Sequence, residues 1–258
     1  TRLERLPDVS HAELRGSVER LRLYSIKLPL VTSADQVTEV LDDALAEGLL
    51  EWHSPNEAFE LDGVIDLGGQ TGSLWVSGVG IDQVGFSNNQ YALDQFEIGY
   101  SNSPHEVSKG QGVLIAVLDT GIDATHPALL GHVSPLGVNL IEEGPPEDVG
   151  EGALRGHGTF VSGLVSLVAP ESQILPIKVL DSHGIGDHFT VAAGINRAVE
   201  AGAHVIVLAL GANVPEPILT LQVAIDNALR HGTIVVAAIG NGVESIGEEA
   251  CHYPASHP

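Results

Sequence analysis

Val113-Leu114-Ile115-Ala116-Val117-Leu118-Asp119-Thr120-Gly121 is the stretch that decides the fold. Six consecutive apolar residues, three of them β-branched, describe a strand buried on both faces, as strands of a parallel sheet are. Gln173 to Leu180, Val205 to Leu210 and Thr233 to Ala238 read as further strands. Helical faces lie between them. Val191, Ile195, Ala198 and Val199 share one, ended by Gly202; Leu221, Ile225, Ala228 and Leu229 share another, ended by Gly232. Strands alternating with helices predict an α/β fold: a parallel sheet flanked by helices, with right-handed crossovers. Functional residues of such sheets gather at the carboxyl ends of the strands.

Asp119 stands just beyond the first of those ends. His157 lies in Gly156-His157-Gly158-Thr159, directly before the apolar segment Phe160 to Val168. Asn241 follows the strand Thr233 to Ala238, within Ala238-Ile239-Gly240-Asn241-Gly242. Singly, each has an ordinary reading: a turn or cap for Asp119, a capping histidine among 12 for His157, a left-handed turn for Asn241. Together they form the layout of a carboxylate that orients an imidazole, an imidazole that acts as general base, and a donor for an oxyanion.

Composition narrows the classes. The 258 residues include 34 Asp+Glu against 11 Lys+Arg, a formal charge of −23, so a polyanion such as nucleic acid is repelled. A hydrophobic fraction of 43% supports a core, and no apolar run approaches the length of a membrane span. Cys251 is the lone cysteine, which excludes an intramolecular disulfide and a cysteine-rich zinc site. The first residues contain no signal-peptide core, and five arginines between Arg2 and Arg22 read as a solvated helical face.

A small module runs from about Leu21 to Leu61. Leu23 to Val31 is β-like, Ser33 with Gln36 can cap a helix, and Val37, Leu41, Ala44 and Leu45 fall on one helical face before Gly48. Leu49 to Trp52 reads as a further strand. Residues 62–110, rich in Gly, Ser and Asn, suit a linker or an extended arm.

Four motifs now converge. Ile115-Ala116-Val117-Leu118-Asp119-Thr120-Gly121-Ile122-Asp123, with His126-Pro127, resembles the aspartate motif of subtilisin-like serine peptidases. Gly156 to Gly163 resembles the histidine motif, Ala237 to Asn241 the oxyanion asparagine segment, and Tyr253-Pro254-Ala255-Ser256 the loop after it. The resemblance covers roughly residues 88–258. It implies a subtilisin-like three-layer fold and a secreted serine endopeptidase. Asp119 and His157 would be catalytic, Asn241 would form the oxyanion hole, and polypeptides would be the substrates. It also implies that Gly184-Ile185-Gly186 and Leu208-Ala209-Leu210-Gly211 clasp the substrate backbone by strand pairing. Glu51-Trp52-His53-Ser54-Pro55-Asn56 looks like the end of an inhibitory propeptide. The implied division is a propeptide-like module at 1–61, a linker or processing zone at 62–87, and part of the peptidase domain at 88–258. The chain's own propeptide is then a partner.

Departures from the pattern matter. The Gly-Thr-Ser motif that carries the nucleophile does not occur in this sequence, and Ser162 and Ser256 are in the wrong places to replace it. The chain alone is therefore expected to be inactive. No cofactor is required for the chemistry. A structural calcium is conceivable in this family, but Ala128 stands where one usual carboxylate ligand would be, and no metal ligand is assigned. Glu142, Glu143, Glu147, Asp148 and Glu151 read as a solvated acidic loop. Two rival classes stand beside the enzyme. One is a catalytically incomplete pseudo-peptidase that binds peptides; the other is a metal-dependent hydrolase using Asp119, Asp123, His126 and His157.

Overall fold

The computed structural model describes residues 13–27, 38, 41–42, 44–46, 51–53, 58–60, 104–152, 154–214, 216–239 and 251–257. They fall into two units, Thr1–Glu57 and Ala58–Pro258. In the first, β1 (Glu13–Val18) and β2 (Leu23–Lys27) form an antiparallel hairpin. A 3-10 turn at Glu19–Leu21 and Arg22 in the left-handed region (φ 55°) reverse the chain between them. The β1 strand was not legible in the sequence. Arg15, Arg20 and Arg22 lie on this strand and turn, so the expected helical arginine face is corrected for them: their spacing serves a hairpin. Residues 38, 41–42 and 44–46 are helical, with Ala44 buried and Leu45 39% exposed, so the apolar face is narrower than expected. Glu51 to His53 is not strand. His53 Nε2 lies 2.8 Å from Asp42 Oδ1, tying that segment to the helical residues.

The second unit begins with β3 (Ala58–Glu60) and a single helical turn, α1 (Pro104–Val107). The principal strands are β4 (Leu114–Asp119), β5 (Val138–Asn139), β6 (Gln173–Lys178), β8 (Val205–Leu208) and β10 (Ile234–Ala237). Among the described residues they form a wholly parallel sheet in the order β10-β8-β4-β6-β5. Chain order reverses on either side of β4, which makes its carboxyl end the place for a site. The shorter strands are β7 (Ile185–Asp187), β9 (Ala212–Val214) and β11 (Cys251–Tyr253). They pair antiparallel, β3 with β7 and β11 with β9.

Helices cover both faces of the sheet. Val117 and Ile174 join Ile122, Leu129 and Val161 in one apolar cluster, so α2 (His157–Val168) covers the face to which Val117 points. Leu118 and Ile177, adjacent in register, point the other way. A Cβ added to Gly194 of α3 (His188–Glu200) would stand 2.6 Å from Val179, 3.1 Å from Leu118 and 3.3 Å from Ile177. The glycine therefore lets α3 sit close on that second face, and α4 (Leu219–Arg230) packs beside α3. Asp187 caps α3 through Thr190 N–H at 2.8 Å. Gly202 and Gly232, with φ of 78° and 79°, follow the last turns of α3 and α4 as the sequence predicts. Val191, Ile195, Ala198, Leu221, Ile225 and Ala228 are buried; Leu229 is 48% exposed and lies outside the face assigned to it.

Candidate active site

Asp119 closes β4 and is 1% exposed. Its Oδ1 accepts the N–H of Thr120 at 2.7 Å. The carboxylate's partner arrives from α2, whose first residue is His157. Nδ1 of His157 lies 2.8 Å from Asp119 Oδ1 and 2.9 Å from Oδ2, and because a carboxylate only accepts, Nδ1 carries the proton. Nε2 is thereby left as the nitrogen that can take a proton. The histidine side chain is 30% exposed while its carboxylate is sealed. Burial alone pushes the imidazole pKa down, but the charge and hydrogen bond of Asp119 outweigh it, and the net direction is upward from 6.5.

Local sequence explains this approach. A Cβ on Gly158 would collide with the Gly121 carbonyl and stand 3.0 Å from Asp119 Cβ, so only glycine lets α2 begin against the end of β4. Thr120 Oγ1 donates to Leu154 O at 3.2 Å and accepts from Gly158 N–H at 3.2 Å. His157 N–H donates to the same Leu154 carbonyl at 2.9 Å. Thr159 Oγ1 takes the Asp123 N–H at 2.9 Å. These threonines and Leu154 were not singled out by sequence reading. The pattern Asp-Thr-Gly marked a turn, but the bridge depends on a residue 34 positions away.

The other candidates are distributed as follows. Gly184 adopts φ 82° in a turn where Asp181 Oδ1 accepts the N–H groups of His183 and Ile185 at 2.8 and 3.0 Å. Gly186 is packed so that a Cβ would meet the Val179 carbonyl and Leu180. Ile185 and Gly186 belong to β7, paired antiparallel to Ala58–Glu60: Glu60 opposite Ile185, Phe59 opposite Gly186, Ala58 opposite Asp187. Leu208 ends β8, and Ala209, Leu210 and Gly211 run on from it toward β9, with Leu208 and Leu210 buried. Asn241 lies outside the described residues.

Ser162 sits buried within α2, and Ser256 occupies an exposed turn. Ser162 Oγ has no hydrogen-bond partner among the described residues. The acidic loop is not simply solvated: Glu142 is ion-paired with Lys178, a residue 1% exposed, which corrects the reading for that carboxylate. Nothing in the local sequence around Lys178 announces this ion pair.

Metal chemistry finds little to work with in the donor geometry. Ala128 is buried, donating its N–H to His126 Nδ1 at 3.2 Å and accepting Ser166 Oγ at 3.0 Å. Asp123 Oδ1 is occupied by the N–H and hydroxyl of Thr125 at 2.9 and 2.6 Å. Among the described residues no three His, Cys, Asp or Glu side chains are grouped to hold an ion. Among the described residues, Asp119, Asp123, His126 and His157 are thus not gathered into one donor set.

Comparison with known proteins follows the same outline. A family model described as the subtilase family matches residues 110–258. The chain is 34% identical over 180 residues to thermitase of Thermoactinomyces vulgaris, covering 66% of this chain and 60% of that protein. It is 35% identical over 162 residues to the major intracellular serine protease of Bacillus subtilis (strain 168), covering 58% of this chain and 49% of that one. The crystal structure of fervidolysin from Fervidobacterium pennivorans, described as a keratinolytic enzyme related to subtilisin, superposes with a TM-score of 0.71 at 24% identity. That match covers 100% of this chain and 40% of that one, and it speaks for the fold alone. The chain spans about half the length of the curated relatives it matches.

Proposed function

The chain belongs to the subtilase family, and from that premise we propose that it carries the acid–base half of a serine endopeptidase. The observation that carries this reading is the two-oxygen grip of buried Asp119 on Nδ1 of a part-exposed His157. In the reaction, Nε2 removes the proton from a serine hydroxyl as its oxygen attacks the scissile carbonyl. The imidazolium is held by Asp119 and returns the proton to the leaving amine as the peptide C–N bond breaks. Asn241 donates to the oxyanion in this proposal. Gly184–Gly186 and Leu208–Gly211 would clasp the substrate backbone, and in support, β7 already accepts an extended segment as an antiparallel partner.

Ala58–Glu60, which makes that pairing, directly follows the first unit. We read the first unit as an inhibitory propeptide and this strand as a product-like occupant of the rim. Secretion belongs to the same proposal and rests on the propeptide-like module and the acid excess. One relative is an intracellular protease by name, so family membership does not fix the compartment.

The 258-residue chain contains no Gly-Thr-Ser motif and is proposed to be inactive alone. A fluorophosphonate probe tests both statements. No labelling of this chain is expected, whereas a longer product of its gene that carries a Gly-Thr-Ser motif is expected to be labelled, and H157Q to abolish that labelling. Labelling of the 258-residue chain overturns the inactivity; absence of labelling and of peptide hydrolysis in that longer product overturns the peptidase reading. The β3–β7 pairing also suits a second reading, a pseudo-peptidase that only binds peptides. A reading frame that closes soon after Pro258 favours it, and a Gly-Thr-Ser motif in the continuation removes it.

A further inference from the structure

A buried cation stands beside the acid–base pair. Lys178 ends β6 in register with Asp119 at the end of β4, so the two side chains share the face covered by α2. Lys178 is 1% exposed. Its stem runs under Gly121, where a Cβ would lie 3.4 Å from its Cδ. Its Nζ donates to Glu142 Oε1 at 2.5 Å and to the Asp148 carbonyl at 2.7 Å. Charge buried this deeply is tolerated only where oxygen partners replace water.

Those partners belong to the loop 140–152. Its Leu140 N–H donates to the Lys178 carbonyl at 2.9 Å, and its Pro146 carbonyl accepts Ile122 N–H at 3.0 Å. A Cβ on Gly121 would stand 2.6 Å from that same Pro146 carbonyl, so the loop lies directly across the turn after Asp119. It continues to Leu154, whose carbonyl takes the Thr120 hydroxyl and the His157 N–H. Thr120 closes the circuit, with its N–H on Asp119 and its hydroxyl accepting Gly158 N–H.

We infer that Lys178 is a positioning residue. Its ammonium latches loop 140–152 over the end of β4 and so holds Asp119 and the start of α2 at hydrogen-bonding distance. Its importance for catalysis rests on the peptidase reading; the latch itself does not. The experiment therefore reads the histidine and not turnover. In the 258-residue chain, the His157 Nδ1 proton, hydrogen-bonded to Asp119, is expected to give a resonance downfield of the amides, assigned by its loss in H157Q.

K178M fills the stem's space but supplies no donor. Loss of the resonance in folded K178M is expected, together with its retention in G194A, which disturbs the opposite face of the sheet. An unchanged resonance in folded K178M overturns the inference, and so does its loss in folded G194A, because it would then report general destabilisation. Should K178M not fold, E142A at the half-exposed end of the latch decides. Faster exchange of the proton with water supports the latch, and an unaltered exchange rate overturns it.

Discussion

His157 is pulled in two directions, and the balance between them is measurable. Burial disfavours its charge, whereas the Asp119 carboxylate at 2.8 Å favours it, and the carboxylate prevails. Replacing Asp119 by Asn keeps the burial and removes the charge, so the histidine titration seen by NMR is expected to move from above 6.5 to below it. A midpoint that stays above 6.5 in D119N contradicts the assigned cause. The sign carries into stability. A histidine whose folded pKa is raised contributes stability that is fully present below its unfolded value near 6.5 and is lost as pH rises through the folded value. Denaturant melts of the wild type and H157Q should therefore differ more at about pH 6 than at about pH 9. On the proposed peptidase reading, the same shift puts the expected acid limb of the pH–rate profile above 6.5, because a general base acts only when neutral. Asp119 and His157 were legible because their chemistry is written in short motifs. Thr120 and Lys178 were not, because their roles depend on Leu154 and on Glu142, far along the chain.

Contact between elements depends on two glycines that do different work. Gly158 lets α2 meet the end of β4, and Gly194 lets α3 lie on Leu118, Ile177 and Val179. Each Gly→Ala change overpacks a tight contact and is expected to cost roughly 1–3 kcal/mol by denaturant melts. Only G158A is expected to remove the His157 Nδ1 resonance as well, since it alone separates His157 from Asp119. Equal effects of both on that resonance would show that helix docking and dyad geometry are not linked as described. Periodicity made these helices and strands readable: the core positions of α3 and most of those of α4 fell where the 3.6-residue repeat put them. It failed at Leu45 and Leu229, which end their stripes and face outward, and at β1, where Glu13, Arg15 and Ser17 alternate with only two apolar side chains, Leu14 and Val18, the third position being Gly16. The pairing of β3 with β7 joins segments more than a hundred residues apart, and no local pattern announces it.

At the scale of the molecule, the sheet places its best-protected strand beneath the candidate site. β4 is bonded on both sides by β6 and β8 and nearly all its residues are buried, whereas β10 is an edge among the described residues, with Ile234 and Val236 exposed. Amide hydrogen exchange should therefore be slowest at Ile115 to Leu118 and markedly faster at Ile234 to Ala237. Comparable protection of the two strands would contradict the layering. On the proposed reading, this platform holds a histidine from one element and an aspartate from another together as a single acid–base unit. The most direct measurement of that claim is peptide hydrolysis by a product of the gene that carries a Gly-Thr-Ser motif, compared with its H157Q and D119N variants. The account predicts fluorophosphonate-sensitive hydrolysis that falls by about a thousandfold or more in both variants. Hydrolysis that survives both substitutions unchanged would contradict it.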